Sequence, residues 1–502
     1  MTSEAIAARA THSTGQRQAT QQVNSNETHQ THHGGFRAMT KEYSYWCDAV
    51  EGKIPTDLRG TFFRNGPGRI QIGNDYFGHW FDGDGMVSAI SFKDGKVHYK
   101  NRYVRTPKYL KESQKGHIVF RGFGTMRHGG TLGNLLRVPA NPANTNIVYH
   151  GGKLLALYEG GRPFELDPEN LTTLGEYFYD GQLGMQNTFS AHGKVHPKTG
   201  YYYNFGIGVS GVGRHGLKSK VDFYKVSPNG RMVKKAAFPV KGSMPFLHDF
   251  AITENYAVIV AGSIVMTDMF KCALGLHSIA DSTTFDYQQP AQVIVVDLNT
   301  MDEVERFEVE PMGVIHFGNA WEEKDDIVFE FIRFDNFAGF EALKNIIAAP
   351  KVEGAEFVRF VINRKRGSIR YESLDMINSE FPTWNINYMG LKNQFTYSVA
   401  TLENGTPSYF NGILKREHKT GKVLCHDFGP GKFTSEAIYI PAENAKAEDQ
   451  GYVSSVVYDA DQDKSEIVVL NAKDLGDVAR VKLSHHIPHG FHGFYTPQLF
   501  IN

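Results

Sequence analysis

From Tyr43 to the C-terminus one local pattern recurs: an apolar strand rich in Val, Ile, Tyr and Phe, a polar turn, and a second strand. It stands at SFKDGKVHY around Asp94, FELDPENLTTLGEY around Asp167, YKVSPNGRMV around Asn229, IVVDLNTMDEVERF around Asp297, VINRKRGSIR around Gly367, LKREHKTGKVL around Thr420 and VVLNAKDLGDVARV around Asp474. Runs of this composition bounded by Gly, Pro, Asn and Asp read as β-strands, and a 3.6-residue apolar period is rare along the chain. The copies lie about 50 to 75 residues apart, the length of a four-stranded blade and a loop. Seven such units predict an all-β fold, a seven-bladed β-propeller. Hairpins of a large β-sandwich are the alternative, because the copies agree in shape and not in residue identity.

This reading makes 39–502 a single propeller domain, although 502 residues would by length alone suggest about three domains. Two long apolar-leaning insertions, 123–144 and 266–282, have some helical character and are expected to form a helical and loop dome over one propeller face. Residues 1–38 are rich in Thr, Gln, Asn, Ser and His, with almost nothing to offset the entropy of ordering, and are expected to be a disordered polar tail. His29, His32 and His33 lie within it and are left out of the site. Lys+Arg 53 against Asp+Glu 54, with no long basic run, argues against a nucleic-acid partner. Cys47, Cys272 and Cys425 are too few and too scattered for a disulfide framework or a CxxC metal site. No export signal is evident and no stretch reaches the ~18 apolar residues of a membrane span, so a cytoplasmic protein is expected.

The common catalytic motifs are missing: there is no HExxH, no Walker A and no Gly-x-Ser-x-Gly elbow. FDGDGM (81–86) resembles the start of a calcium loop, but Lys93 stands where an acidic residue would be needed, and the segment reads as a structural turn. The histidines are more informative. FSAHG (His192), FLHDF (His248), VIHFGNA (His316) and GFHGF (His492) recur at the rhythm of the blades, and SEFP (Glu380) and TSEAIY (Glu436) divide the last interval. The series 192, 248, 316, 380, 436, 492 steps by 56, 68, 64, 56 and 56 residues. Innermost propeller strands surround the axis, so equivalent positions converge there. Four neutral imidazoles on that axis would make a metal site, and carboxylates behind them would accept the free ring N–H. Imidazole suits Zn, Cu, Fe and Ni alike, so the ligand type does not name the metal.

Several motifs together resemble the carotenoid cleavage oxygenases, a family that includes apocarotenoid oxygenases, stilbene-cleaving dioxygenases and the retinoid isomerase of the eye. They are GTFFRNGPG (60–68), HWFDGDGM (79–86), NTNIVYHGGKLLALYEGG (144–161), HDFAIT (248–253), HFGNA (316–320), SEFP and the terminal HGF. The resemblance runs from about Tyr43 to the C-terminus. It implies a seven-bladed propeller with an axial Fe(II) held by His192, His248, His316 and His492. It also implies three glutamates bonded to three of these histidines: Glu159 in ALYEGG, Glu380 and Glu436. Glu159 is the one that the rhythm does not reveal. His196, His485, His486 and His489 stand outside the motifs, and HFGN departs slightly from the HHxN of many relatives.

The implied activity is cleavage of a conjugated double bond by O₂ into two carbonyl products. Within the family, stilbene-cleaving relatives carry a lysine immediately before the glutamate of the ALxE segment, and Tyr158 stands there in this sequence. Tyr103 does match a phenol-binding tyrosine of that branch. The balance favours a carotenoid or apocarotenoid, which would be taken from a bilayer by a membrane-associated (monotopic) protein through its apolar cap. No protein partner is evident. A stilbene-cleaving dioxygenase or a retinoid-type isomerase on the same scaffold is the alternative. A non-catalytic propeller scaffold would give no reason for seven polar residues to match a metal site.

Overall fold

The seven hairpins become the outer strands of seven successive sheets. The computed structural model describes residues 32–213, 216–348, 355–402 and 409–501. Within these residues each sheet runs outward as an antiparallel meander. The fifth is typical, ordering Gly313–Glu323, Asp326–Phe334, Ala355–Asn363 and Ser368–Asp375. The fold is a seven-bladed β-propeller. The second strand of this blade is buried along its length except at Asp326, whereas the outermost strand is largely exposed. Neighbouring blades pack through apolar faces: Phe317, Phe329 and Phe331 of the fifth join Val258, Val293 and Val295 of the fourth in one cluster. Burial on that scale is the main driving force for holding separate sheets together.

Both chain ends close the ring. The C-terminal strand Gly493–Thr496 pairs antiparallel with Gly60–Arg69 and becomes the innermost strand of the first blade. The N-terminal strand Val50–Gly52 pairs with Asp477–Lys482 at the outside of the seventh. The RNGPG motif lies at this seam. A Cβ on Gly66 would stand 2.4 Å from the Gly490 Cα, so the approach of the two chains requires glycine. Asn65 Nδ2 donates to the carbonyls of Ala143 (2.9 Å) and Asn146 (2.8 Å), and its backbone N–H donates to His492 O at 2.9 Å. One side chain thereby ties the first blade to the second beside the terminal motif.

The two insertions form the cap. They carry the short helices Gly130–Asn134 and Met269–Ala273, and meet where the Leu136 N–H donates to Ala273 O (2.8 Å). FDGDGM is the structural turn expected of it, with a specific task. The Asp82 carboxylate accepts the N–H groups of Phe123 (2.5 Å) and Gly124 (2.9 Å) and the Thr125 hydroxyl (2.7 Å), anchoring the start of the cap. A further cap element that the sequence patterning missed, Ala338–Ala342 continuing into Leu343–Ala348, follows the second strand of the fifth blade.

The polar tail expected over 1–38 does not reach residue 38. His32–Phe36 is a turn of 3-10 helix in which His32 and Phe36 are buried. Phe36 packs edge-on against Trp80, and His32 Nε2 bonds Ile346 O at 2.9 Å. Average composition hid this, because one phenylalanine and one desolvated histidine suffice to dock a short segment into an aromatic cleft. His29 lies outside the described residues.

Burial lowers the His32 imidazole to about 4 and that of His79, in the HWFDGDGM motif, to about 3. Both are neutral in the fold, while the unfolded chain takes up protons below its ordinary value near 6.5. Stability is therefore complete above pH 6.5 and lost as pH falls toward the folded values. Urea denaturation at pH 7 and pH 5 should differ by roughly 2 kcal/mol for each such histidine, and His32→Asn should shrink the difference. A pH-independent midpoint would contradict this packing.

Candidate metal centre

Blade geometry delivers the six rhythmic residues to one place. His316 lies within the innermost strand Gly313–Glu323, and Glu380 within Ser379–Thr383. His248 stands just ahead of Ala251–Ile252, Glu436 ahead of Ile438–Pro441, and His492 immediately before Gly493–Thr496. His192 precedes Lys194–Val195 in the same way. The pairing register slips between Val314 and Phe317 and again between Glu380 and Thr383, and Phe381 takes a φ of 53°. Such bulges leave the regular pleat and re-aim side chains, here at the ring centre.

The four histidines are buried, and their ligand atoms all lie within 4.8 Å of one another. Nε2 of His192 stands 2.9 Å from that of His248, His248 stands 3.2 Å from His316, and His316 stands 3.1 Å from His492. Behind them stand the carboxylates. Glu380 Oε2 is 2.5 Å from His316 Nδ1, and Glu436 Oε1 is 2.9 Å from His492 Nδ1. Glu159 Oε1 is 3.1 Å from His248 Nδ1, off the line of a hydrogen bond, and accepts the Ala191 N–H at 3.2 Å. His192 differs: its nearest carboxylate, Asp249, is 3.8 Å away and is occupied by Lys194 Nζ at 2.7 Å.

This donor set fits a cation. Ring N–H groups committed to Glu380 and Glu436 leave lone pairs on the Nε2 atoms of His316 and His492, which face each other across 3.1 Å. Two lone pairs at that distance repel unless a positive charge lies between them. Bonds of ~2.0–2.1 Å to a common ion set neighbouring nitrogens about 3 Å apart, as here. Burial, then the neighbouring imidazoles, hold His192 and His492 well below the usual histidine range, in the neutral form that binds metal. Burial also raises the Glu436 carboxyl to about 7, opposed by the Gly493 N–H at 2.7 Å.

The sequence rhythm passed over Glu159 for a structural reason. In the second blade the place just before the innermost strand Asn146–His150 belongs to Thr145, and the carboxylate comes instead from the turn just beyond the next strand, Lys153–Leu157. Lys194 and Asp249 were not foreseen at all. Their only signal was adjacency, two residues after His192 and one after His248.

A cavity with an empty volume of about 1330 Å³, open mouth included, ends on His248, His316 and His492. Its walls are mainly aromatic and aliphatic, among them Phe81, Phe123, Phe246, Ile315, Phe340 and Phe381. Tyr158 lines it beside Glu159. Tyr103 does not, since its hydroxyl donates to the carbonyls of Met39 and Gly68, both at 2.8 Å.

The family model for retinal pigment epithelial membrane protein matches residues 36–497. The chain belongs to the carotenoid cleavage oxygenase family. It is 33% identical to the apocarotenoid-15,15'-oxygenase of Synechocystis sp. over 92% of this chain and 95% of that one. It is 32% identical to carotenoid 9,10(9',10')-cleavage dioxygenase 1 of Phaseolus vulgaris, over 93% and 89%. The crystal structure of the cobalt-substituted Synechocystis apocarotenoid oxygenase superposes with a TM-score of 0.84 at 32% identity, over 92% of this chain and 98% of that one. These relatives are oxygenases, and the chain is an oxidoreductase that incorporates O₂.

The arrangement predicts unequal consequences of substitution. His248→Ala should abolish metal binding, whereas Glu380→Gln should retain most of the metal and lower activity about 10- to 100-fold, the usual effect of a lost outer partner. Metal counts and turnover on the two variants check this. Full metal retention in His248→Ala would contradict the assignment.

Proposed function

We propose that the chain is a non-haem Fe(II) dioxygenase cleaving one conjugated double bond of a carotenoid or apocarotenoid, with 39–502 acting as one catalytic domain. The supporting observation is the mainly apolar cavity that counts His248, His316 and His492 among its lining residues. His192, His248, His316 and His492 would hold the iron, and Glu159, Glu380 and Glu436 would orient the rings and offset the cation's charge. When bound, the iron supplies the binding and activation of O₂. The chain's residues do the rest. Aromatic walls hold an extended polyene by its faces, exclude water from the reacting carbons and set which bond lies over the histidines. One C=C bond is broken and two C=O bonds form, each product receiving one oxygen atom of O₂.

Similarity to a lignostilbene-alpha,beta-dioxygenase isozyme of Sphingomonas paucimobilis, 30% identical over 88% of this chain and 92% of that one, raises the stilbene reading. Against it, Tyr158 replaces the lysine of that branch and Tyr103 spends its hydroxyl on the Met39 and Gly68 carbonyls. An apolar substrate also accounts for the surface of the cap. Leu132, Leu136, Val138 and Phe270 are each at least 75% exposed, and the first cap segment begins at Phe123 in the cavity wall. No described helix is long and apolar enough to cross a membrane. A cytoplasmic protein resting on a bilayer by these side chains would draw its substrate directly from the lipid.

The test is product analysis. Protein loaded anaerobically with Fe(II) is exposed to ¹⁸O₂ with β-carotene, an apocarotenal or a hydroxystilbene. Shorter carbonyl products from a polyene, each carrying one labelled oxygen, are expected. Cleavage of the stilbene alone, or isomerisation of the polyene without cleavage, would overturn the proposal.

A further inference from the structure

A second cluster of metal-ligating side chains lies in the cap, built by residues that play no part in the axial site. Asp75 comes from the short strand Asp75–Tyr76, His117 from the turn after the helix Pro107–Lys115, and His128 from the loop leading to the helix Gly130–Asn134. One ligand atom from each lies within 4.8 Å of the others. None of the three lines the cavity that ends on the axial histidines.

The groups are prepared for a cation. His117 Nδ1 is 3.0 Å from Ile118 O, so it carries the proton and leaves the Nε2 lone pair free, the orientation seen when a carbonyl fixes a metal-binding tautomer. Asp75 Oδ2 accepts the Ile118 N–H at 3.0 Å and lies 2.7 Å from His128 Nε2. These contacts, His128 first, hold the Asp75 carboxyl below the usual carboxylate range. His117 and His128 are exposed and their rings lie 6.0 Å apart, so an ion reaches them from solvent without opening the fold. Two imidazoles and one carboxylate from three separate segments form a donor set suited to Zn²⁺, Ni²⁺ or Cu²⁺, with water completing the coordination.

We infer that Asp75, His117 and His128 form a second metal site, for one divalent transition ion of the zinc class, separate from the axial histidines. Binding replaces the Asp75–His128 contact by two bonds to one ion, with loss of the proton that they share. The location gives it a consequence. His128 is followed by Gly129 (φ 105°) and Gly130 (φ 60°), the pivot of the segment that carries the exposed Leu132 and Leu136. An ion there ties the root of this apolar segment to the turn at Asp75 and the end of the helix at His117.

The test uses the full chain with iron already loaded. Equilibrium dialysis against Zn²⁺, with both metals counted, should find one zinc per chain with the iron undisturbed. His117→Ala and His128→Ala should each weaken zinc binding roughly 100-fold while iron content, turnover and Tm stay at the parent values. Hydrogen exchange over 126–138 should slow on adding zinc to the parent and not to either variant. Zinc taken up only in exchange for iron, no zinc bound, or binding unaffected by both substitutions would overturn the inference.

Discussion

Lone pairs of neutral imidazoles repel, and this fold drives four of them together on its axis. Where both Nδ1 atoms face carboxylates, as at His316 and His492, the 3.1 Å contact of the Nε2 atoms is relieved by a cation shared in front. The propeller holds these two rings. Glu380 and Glu436 enter from the sixth and seventh blades beside the histidines of the fifth and first, so each ring is clamped by a neighbouring blade. Because His492 immediately precedes the strand that closes the ring, the site and the closure depend on each other. Asn65 and the glycine contact at Gly66 hold that seam.

The fourth histidine shows how unequal the set is. His192 has a carboxylate near its ring, yet Asp249 is taken by Lys194 and by the N–H groups of Phe250 and Phe317. A buried charge must be paired or hydrogen-bonded, and here the lysine cancels it. Three carboxylates therefore stand behind three of the four rings, and the Asp249–Lys194 pair beside the fourth is neutral as a unit. Two cavities meet the histidines with different walls, one mainly of aromatic and aliphatic side chains, the other including Lys194, Asp249 and Glu436. The apolar one suits a polyene.

Much of this was legible in the sequence because repetition converts distance along the chain into proximity. Seven turns with similar flanks marked the outer hairpins, and the steps of 56 to 68 residues marked the axial positions without any pairing being known. What escaped was whatever broke the repeat. Glu159 follows a second strand rather than preceding a first one, and only the family motif located it. Lys194 and Asp249 act through a contact between blades that adjacency alone does not encode. The cap element Ala338–Ala348 lacks a long amphipathic period, and His32–Phe36 was lost in the average polarity of its surroundings. FDGDGM was read correctly as structure, but its partners at Phe123–Thr125 lie some forty residues away.

The central claim is that one metal ion sits on the propeller axis among four histidines. Anomalous diffraction at the iron edge from crystals of the Fe(II)-loaded chain tests it directly. The account predicts a single strong peak ~2.1 Å from the Nε2 atoms of His192, His248, His316 and His492. A peak elsewhere, or none at the axis in protein that counts one iron per chain, would contradict it.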